Sequence, residues 1–311
     1  MIVLFFLLFT TTASLVLYNN FHTVDEIGHH EHALWQTMNG KFFYRSFDNH
    51  NLFGLHAQPI MLILLPIYFL FPHTLIIIFV QNLGIAISAL FIYRYCKEKM
   101  SKKESILLLL TYLLLPVFYY SNIRSFSPIG LVFPFIAGTI FFMKKENWNL
   151  FYVFFILTLM CKENTPLLLI PLGIYVFFRY DKRVGLKSIL LSLAWMVISF
   201  KILIPLFQIN PSTDYSFISS LYGHLGGSIP EILKTIISNP ALPLTYGDIT
   251  LKMSYFKVLF GSTLYLSLLN IEFLIITLPV LLQNLLSSSP YKYEYVSHYN
   301  FILTPLIFSL S

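Results

Sequence analysis

Apolar runs recur from one end of this chain to the other, and they restrict its fold more than any other feature. Stretches that reach or approach membrane-crossing length are 1–18, 74–93, 105–120, 128–143, 148–160, 165–178, 188–207 and 256–286. A crossing takes about 20 apolar residues, and a helix satisfies its own backbone polar groups in lipid. Charged residues make up 11% of the chain and hydrophobic ones 57%. A soluble globule carries about 25% charged residues, so this polar surface is too small to cover one. The sequence predicts an all-α fold, a polytopic transmembrane helical bundle forming a single domain over 1–311. Its first run, "MIVLFFLLFTTTASLVLY", lacks a basic lead and reads as a membrane helix rather than a cleaved signal.

Charge placement orients the bundle. The net charge of +6 comes mostly from three short loops, "RYCKEKMSKKES" (94–105), "KKENWN" (144–149) and "RYDKRVGLK" (179–187). Lys and Arg concentrated in short loops between apolar segments mark the cytoplasmic side, so the basic balance implies membrane topology and no nucleic acid. Cys96 and Cys161 fall at opposite ends of membrane segments, which argues against a disulfide. The runs 148–160 and 165–178 are short, either two tight crossings or a re-entrant hairpin.

The segment "QPIMLILLPIYFLF" (58–71) decides where the acids lie. If it crossed, 19–57, with four acids against two basic residues, would share a side with the basic loop 94–105. It is short and interrupted by Pro59 and Pro66, so it is expected to lie at the outer interface. The whole of 19–73 is then the first extracytoplasmic loop, with juxtamembrane helices, and the N-terminus is cytoplasmic in the cell membrane. A second long outer loop spans 208–255. Within it "SIPEILKTIISNP" carries a capping-box spacing at Ser228 and Glu231, Pro230 in the first turn and a stop at Asn239-Pro240. Its apolar stripe suits an interfacial helix or a packing helix. The run 256–286 is either one tilted helix or a hairpin turning near Asn270. The chain stops within "FILTPLIFSLS", too short to span, and reads as a fragment of a longer membrane protein.

One stretch of the first outer loop crowds polar chemistry together: "TVDEIGHHEHALWQ", 23–36. On a helix, Asp25, His29, His32 and Gln36 share one face, with Ile27, Leu34 and Met38 opposite and Glu31 among them. Glu26 and His30 fall on a flank. The zinc-hydrolase spacing H-E-x-x-H is absent, because Leu34 stands four after His30. His29 and His32 with Asp25 have the spacing to hold a divalent metal ion; solvated imidazoles are the other reading.

Alternatively, a carboxylate at the water–membrane boundary serves as a general base. It takes a proton from a hydroxyl nucleophile while cations steady a departing lipid phosphate. The outer side supplies cations at Arg124 in "SNIRSFSP", Lys162 in "CKENTP" and Arg45. Lys201, in the outer part of 188–207, either joins them or snorkels to headgroups. Glu163, His56 and His298 are further candidates for the same cavity, His298 only if 256–286 is a hairpin.

The span "VDEIGHHEHALWQTMNG" resembles the start of the first outer loop of GT-C glycosyltransferases, membrane enzymes that use polyprenyl-phosphate sugars. Further blocks resemble a predicted-membrane-protein family, domain of unknown function 2079, grouped with that superfamily. They are "HALWQTMNGKFFY", "HAQPIMLILLPIYFLFP", "YSNIRSFSPIGLVFPF", "CKENTPLLL", "YGHLGGSIPEILKTIISNP" and "LLQNLLSSSPY" followed by "HY". The resemblance implies a helical bundle whose first outer loop covers a lipid-accessible cavity. It also implies a polyprenyl-phosphate-linked sugar donor alongside membrane lipid, with Asp25 as the catalytic base. Relatives often carry an acid where Glu31 stands, which makes Glu31 the rival and leaves Glu26 to orient an acceptor of unknown identity. They tend to read phenylalanine-histidine-proline where this chain has Ser125-Phe126-Ser127-Pro128, so no histidine is available at that loop.

Two other readings compete. A transporter or flippase of a lipid-linked anion would place polar groups near the bilayer midplane, where this chain offers chiefly Gln81 and Asn82. A non-catalytic membrane subunit would keep the scaffold without turnover.

Overall fold

A computed structural model describes residues 1–23, 26–209, 217–261, 263–294 and 297–309. Among the described residues the fold is all-α apart from one ribbon of two-residue strands. In order come α1 (Ile2–Asn19), α2 (Glu26–Met38), β1 (Tyr44–Arg45) paired antiparallel with β2 (His50–Asn51), α3 (Leu52–Leu55) and α4 (Ile60–Leu70). Next are α5 (Thr74–Lys99), α6 (Lys102–Leu113), α7 (Val132–Lys144), α8 (Trp148–Cys161), α9 (Pro166–Arg179), α10 (Lys182–Ile198) and α11 (Ile204–Phe207). The remainder is α12 (Phe217–Tyr222), α13 (Ile229–Ser238), α14 (Leu242–Thr245), α15 (Ile249–Gly261), α16 (Ile271–Leu285) and α17 (Thr304–Ser309).

Three helices are long and apolar enough to cross a membrane among the described residues: α1, α5 and the continuous Lys182–Phe207. At about 1.5 Å per residue they run roughly 27 to 39 Å, against a hydrocarbon core of about 30 Å. Their burial is the reverse of a soluble helix. On α1, Thr10 and Ser14 are buried while Leu4, Phe5, Leu8 and Phe9 are exposed. Both hydroxyls bond back to a carbonyl one turn earlier, at 2.9 Å, which satisfies them without a partner helix. The Lys182–Phe207 helix likewise buries Gly185, Ser188 and Ser192 against α9 and leaves Leu186, Leu190 and Val197 outside. Small residues at helix contacts and large apolar ones outside are the arrangement lipid favours.

Helix breaks follow local chemistry. The run 105–120 is not one helix: α6 stops at Leu113 because Pro116 lacks an N–H and disfavours helix at Leu115, and a π-helical turn, Phe118–Asn122, follows. The α8 and α9 helices, 14 residues each, are joined by the tight turn at 162–165 and pack mainly on α7 and α10 respectively. The α4 helix has 11 residues, about 16 Å, half the thickness of the apolar core. Residues 249–285 form a hairpin. Leu264 and Tyr265 adopt left-handed φ of 51° and 63°, and Asn270 caps α16 by accepting from the Phe273 N–H at 3.0 Å. Asn284 on α16 donates to the Tyr255 hydroxyl on α15 at 3.1 Å, a contact that one straight helix would forbid. In α13 the expected capping box does not form: Glu231 accepts from Gly227 N–H at 2.8 Å, one residue before the N-cap Ser228. Ser228 makes no side-chain cap, and Leu233 and Ile237 stay exposed.

The bundle has two chemically distinct ends. At one, Lys145 pairs with Glu98 and Arg179 with Glu272, each at 2.6 Å, which brings the basic loops and the 263–270 turn together. At the other lie α2, the turn after α8 and residues 290–294 and 297–300.

Candidate functional site

Five separate segments meet at that second end. Glu26 opens α2, where an acid suits the positive helix start. Ser125 follows the π-helical turn. Cys161 ends α8, and Lys162, Glu163 and Asn164 occupy the turn before Thr165 and Pro166 start α9. The Lys162 carbonyl is anchored by Thr165 Oγ1 at 2.9 Å and Trp195 Nε1 at 3.4 Å. His56 ends α3, and 3-10 turns at Pro290–Tyr293 and His298–Asn300 bring Lys292, His298 and Tyr299.

Two carboxylate–imidazole pairs result. Glu26 Oε2 lies 3.4 Å from His298 Nδ1, an ion-pair contact short of a well-aligned hydrogen bond, and accepts from Ser125 Oγ at 3.3 Å. His30 Nδ1 donates to the Glu26 carbonyl at 2.9 Å. Burial pushes the Glu26 carboxyl up, but His298, with His30 and Lys162 behind it, outweighs burial and holds it down at about 2. Burial pushes His30 down to about 4, against the pull of Glu26. In the second pair His56 Nδ1 lies 2.9 Å from Glu163 Oε1. Burial, then the Lys162 charge, pushes His56 below its ordinary value, against the pull of Glu163. Glu163 stays ionised because His56 and Lys162 outweigh its burial.

The pairs adjoin through Tyr299, whose ring centre is 4.3 Å from that of His298. Lys292 Nζ stands 3.6 Å from the Tyr299 ring centre and Lys162 Nζ 5.4 Å. Both lysines are buried, at 6% exposure. Burial, then the Lys162 charge, pushes Lys292 down to about 7, against the pull of Glu163. A cavity of about 510 Å³ including its mouth opens beside the His56–Glu163 pair, between Lys162, Lys292 and Tyr299, walled also by Asn164, Phe200, Tyr222 and Gln283. Its polar wall is braced: Tyr222 donates to the Gln283 carbonyl at 2.7 Å, and Asn164 Nδ2 to Gln283 Oε1 at 3.1 Å. The two lysines of this cavity can hold an anion, and the ionised carboxylate within it, or that of adjoining Glu26, can accept a proton from a neighbouring hydroxyl.

Membership can now be stated. The family described as predicted membrane protein (DUF2079) matches residues 25–311. The chain belongs to that family. The match takes in every segment of this DUF2079 site and starts one residue before α2. No curated protein and no solved structure matches the chain.

The other candidates fall in different places in this DUF2079 chain. Asp25 lies outside the described residues. Glu31 is spent between helices, accepting from the Tyr68 hydroxyl at 3.2 Å and from the Thr74 hydroxyl. Arg45 pairs with Asp48 and lies 5.5 Å from the Phe47 ring centre. Arg124 and Lys201 are exposed. His29 packs on Phe47, and His32 on Phe47 and Trp35. Three donors surround His32 Nε2: the Ser46 hydroxyl at 2.9 Å, the Ser46 N–H at 3.3 Å and the Gln36 amide at 3.3 Å. That engages the lone pair a metal would need. Among the described residues no three His, Cys, Asp or Glu side chains gather as metal ligands. The flank of α2 that carries Glu26 and His30, rather than the His29–His32 face, turns to the site.

Lys292, Asn164, Tyr222, Gln283 and Tyr299 were absent from the sequence-based candidates. One signal existed for Lys292: it is the sole Lys or Arg after Lys257.

Proposed function

We propose that this DUF2079 chain is a GT-C-like membrane glycosyltransferase. It moves a sugar from a polyprenyl-phosphate donor to an acceptor hydroxyl at the extracytoplasmic face. The observation that carries the reading is ionised Glu163 beside Lys162 and Lys292 in one cavity, with ionised Glu26 adjoining it through His298 and Tyr299, at the end opposite the basic loops. A carboxylate of the Asp25–Glu26 pair takes the acceptor proton as the hydroxyl oxygen attacks the anomeric carbon. The bond from that carbon to the phosphate oxygen breaks, and its electron pair leaves on the phosphate, steadied by Lys162. Attack opposite the leaving group inverts the anomeric centre. The 16 Å reach of α4 and the gathering of basic loops at the far end support an outward site and a cytoplasmic N-terminus.

The transporter reading loses its main support. Gln81 is held by the Asn122 and Ser125 carbonyls and the Ser127 N–H, and Asn82 accepts from Asn122 at 2.5 Å, so these groups brace helices.

The test is transfer of labelled sugar from polyprenyl-phosphate donors by the full-length protein in lipid vesicles. Asp25→Asn or Glu26→Gln is expected to cost about 100-fold or more in turnover, with thermal stability kept. Full turnover in both variants, or none in the unaltered protein across the donors, contradicts the reading.

A further inference from the structure

The cavity shows more than an anion site, because its unsatisfied groups are of two kinds. Among the described residues Lys162 and Lys292 make no ion pair; their polar contacts are with the Tyr299 ring. Glu163, the only carboxylate lining this cavity among the described residues, offsets one of the two charges; a second buried ammonium is costly, and the cost falls when an anion enters between them. The remaining unsatisfied groups are acceptors. Glu163 Oε2 and Asn164 Oδ1 are buried with no hydrogen-bond partner, although Glu163 Oε1 and Asn164 Nδ2 are both engaged. An anion brings no proton for these oxygens, so they call for a hydroxyl or amine donor on the same ligand. Charge selects the hydroxyl. The cavity lining carries two lysines against one carboxylate, Glu163, so a single negative charge on the ligand balances it. A phosphodiester carries one charge on two unesterified oxygens, enough to engage two separate lysines. Phe200 and Leu221 supply an apolar wall beside them.

We propose that this cavity takes a hydroxyl-bearing phosphodiester, its phosphate held by Lys162 and Lys292 and its hydroxyl donating to Glu163 Oε2 and Asn164 Oδ1. Lys292 is a phosphate-binding residue, and Glu163 and Asn164 set specificity for the hydroxylated group. The assignment deepens the transfer reading, since a polyprenyl-phosphate sugar is such a diester, yet it is tested by binding alone. A protein that binds with this selectivity but transfers nothing would refute only the enzyme. A protein that transfers without it would refute only this site.

The experiment measures affinities of the full-length protein in lipid nanodiscs for three probes. Farnesyl phosphoryl-glucose carries charge, chain and hydroxyls; farnesyl methyl phosphate has the same charge and chain without hydroxyls. Dihexanoyl phosphatidylglycerol is a hydroxylated lipid headgroup. The glucose diester is expected to bind about tenfold or more tighter than the methyl diester, because the latter leaves buried acceptors unpaired. Phosphatidylglycerol matching the glucose diester supports the site with bulk lipid as its source, and weaker phosphatidylglycerol binding supports it with the glycosyl diester. Lys292→Met is expected to weaken both farnesyl probes by a similar factor, and Asn164→Ala to shrink the ratio between them. Equal affinity of the unaltered protein for the two farnesyl probes overturns the proposal without any variant, as does unchanged binding of both in Lys292→Met.

Discussion

Between Tyr291 and Tyr293, Lys292 has no local pattern to mark it, and its behaviour comes wholly from what it is buried against. Desolvation and Lys162 disfavour its charge, so its folded value of about 7 lies below the unfolded one of about 10.4. The ammonium is full below that value and is lost as pH rises through it. Anion affinity should therefore fall as pH rises from about 7, with the midpoint moved up by the bound charge. Titrating farnesyl phosphoryl-glucose binding against pH checks this. Lys292→Met should flatten the profile and Lys292→Arg should hold affinity at high pH, since a guanidinium stays charged. A flat profile in the unaltered protein contradicts it. Lys162 was readable as a candidate because it interrupts a nearly uncharged stretch, whereas His298 depended on the segment 256–286 turning back. Glu31 misled for the opposite reason. Its partners, Tyr68 and Thr74, stand 37 and 43 residues away, and no local pattern reports that pairing.

Helix identity was legible from apolar run length, and helix ends less so. The start of the Lys182–Phe207 helix was expected near 188, yet Asp181 caps it earlier by accepting from Val184 N–H at 2.9 Å, inside what charge alone marked as loop. Its packing was not legible either, because α9 and α10 touch through absent atoms. A Cβ on Gly185 would meet the Phe177 N and Cα at 2.3 and 2.4 Å, both rigid backbone. Gly185→Leu should push the helices apart and cost at least about 1–3 kcal/mol, the range for overpacking. Leu186→Ala, on the exposed side, should stay within about 0.5 kcal/mol. Thermal unfolding of the two purified variants compares them. Equal midpoints would contradict the close contact.

At the scale of the molecule, the bundle separates basic loops from carboxylate–imidazole pairs, and the hairpin 249–285 is what closes the second group. It returns the chain from the Arg179–Glu272 end to the end where His298 meets Glu26. The sequence left that segment open because no charge lies between Lys257 and Glu272 to fix its direction. The claim beneath all the chemistry is that the carboxylate and lysine end faces outward, where polyprenyl-linked sugars would be used. Both native cysteines are buried, so engineered ones can be read against a low background. A membrane-impermeant maleimide should label Lys41→Cys, beside the ribbon, in intact cells, and Lys103→Cys, at the start of α6, only after permeabilisation. Labelling in the opposite order would contradict the account.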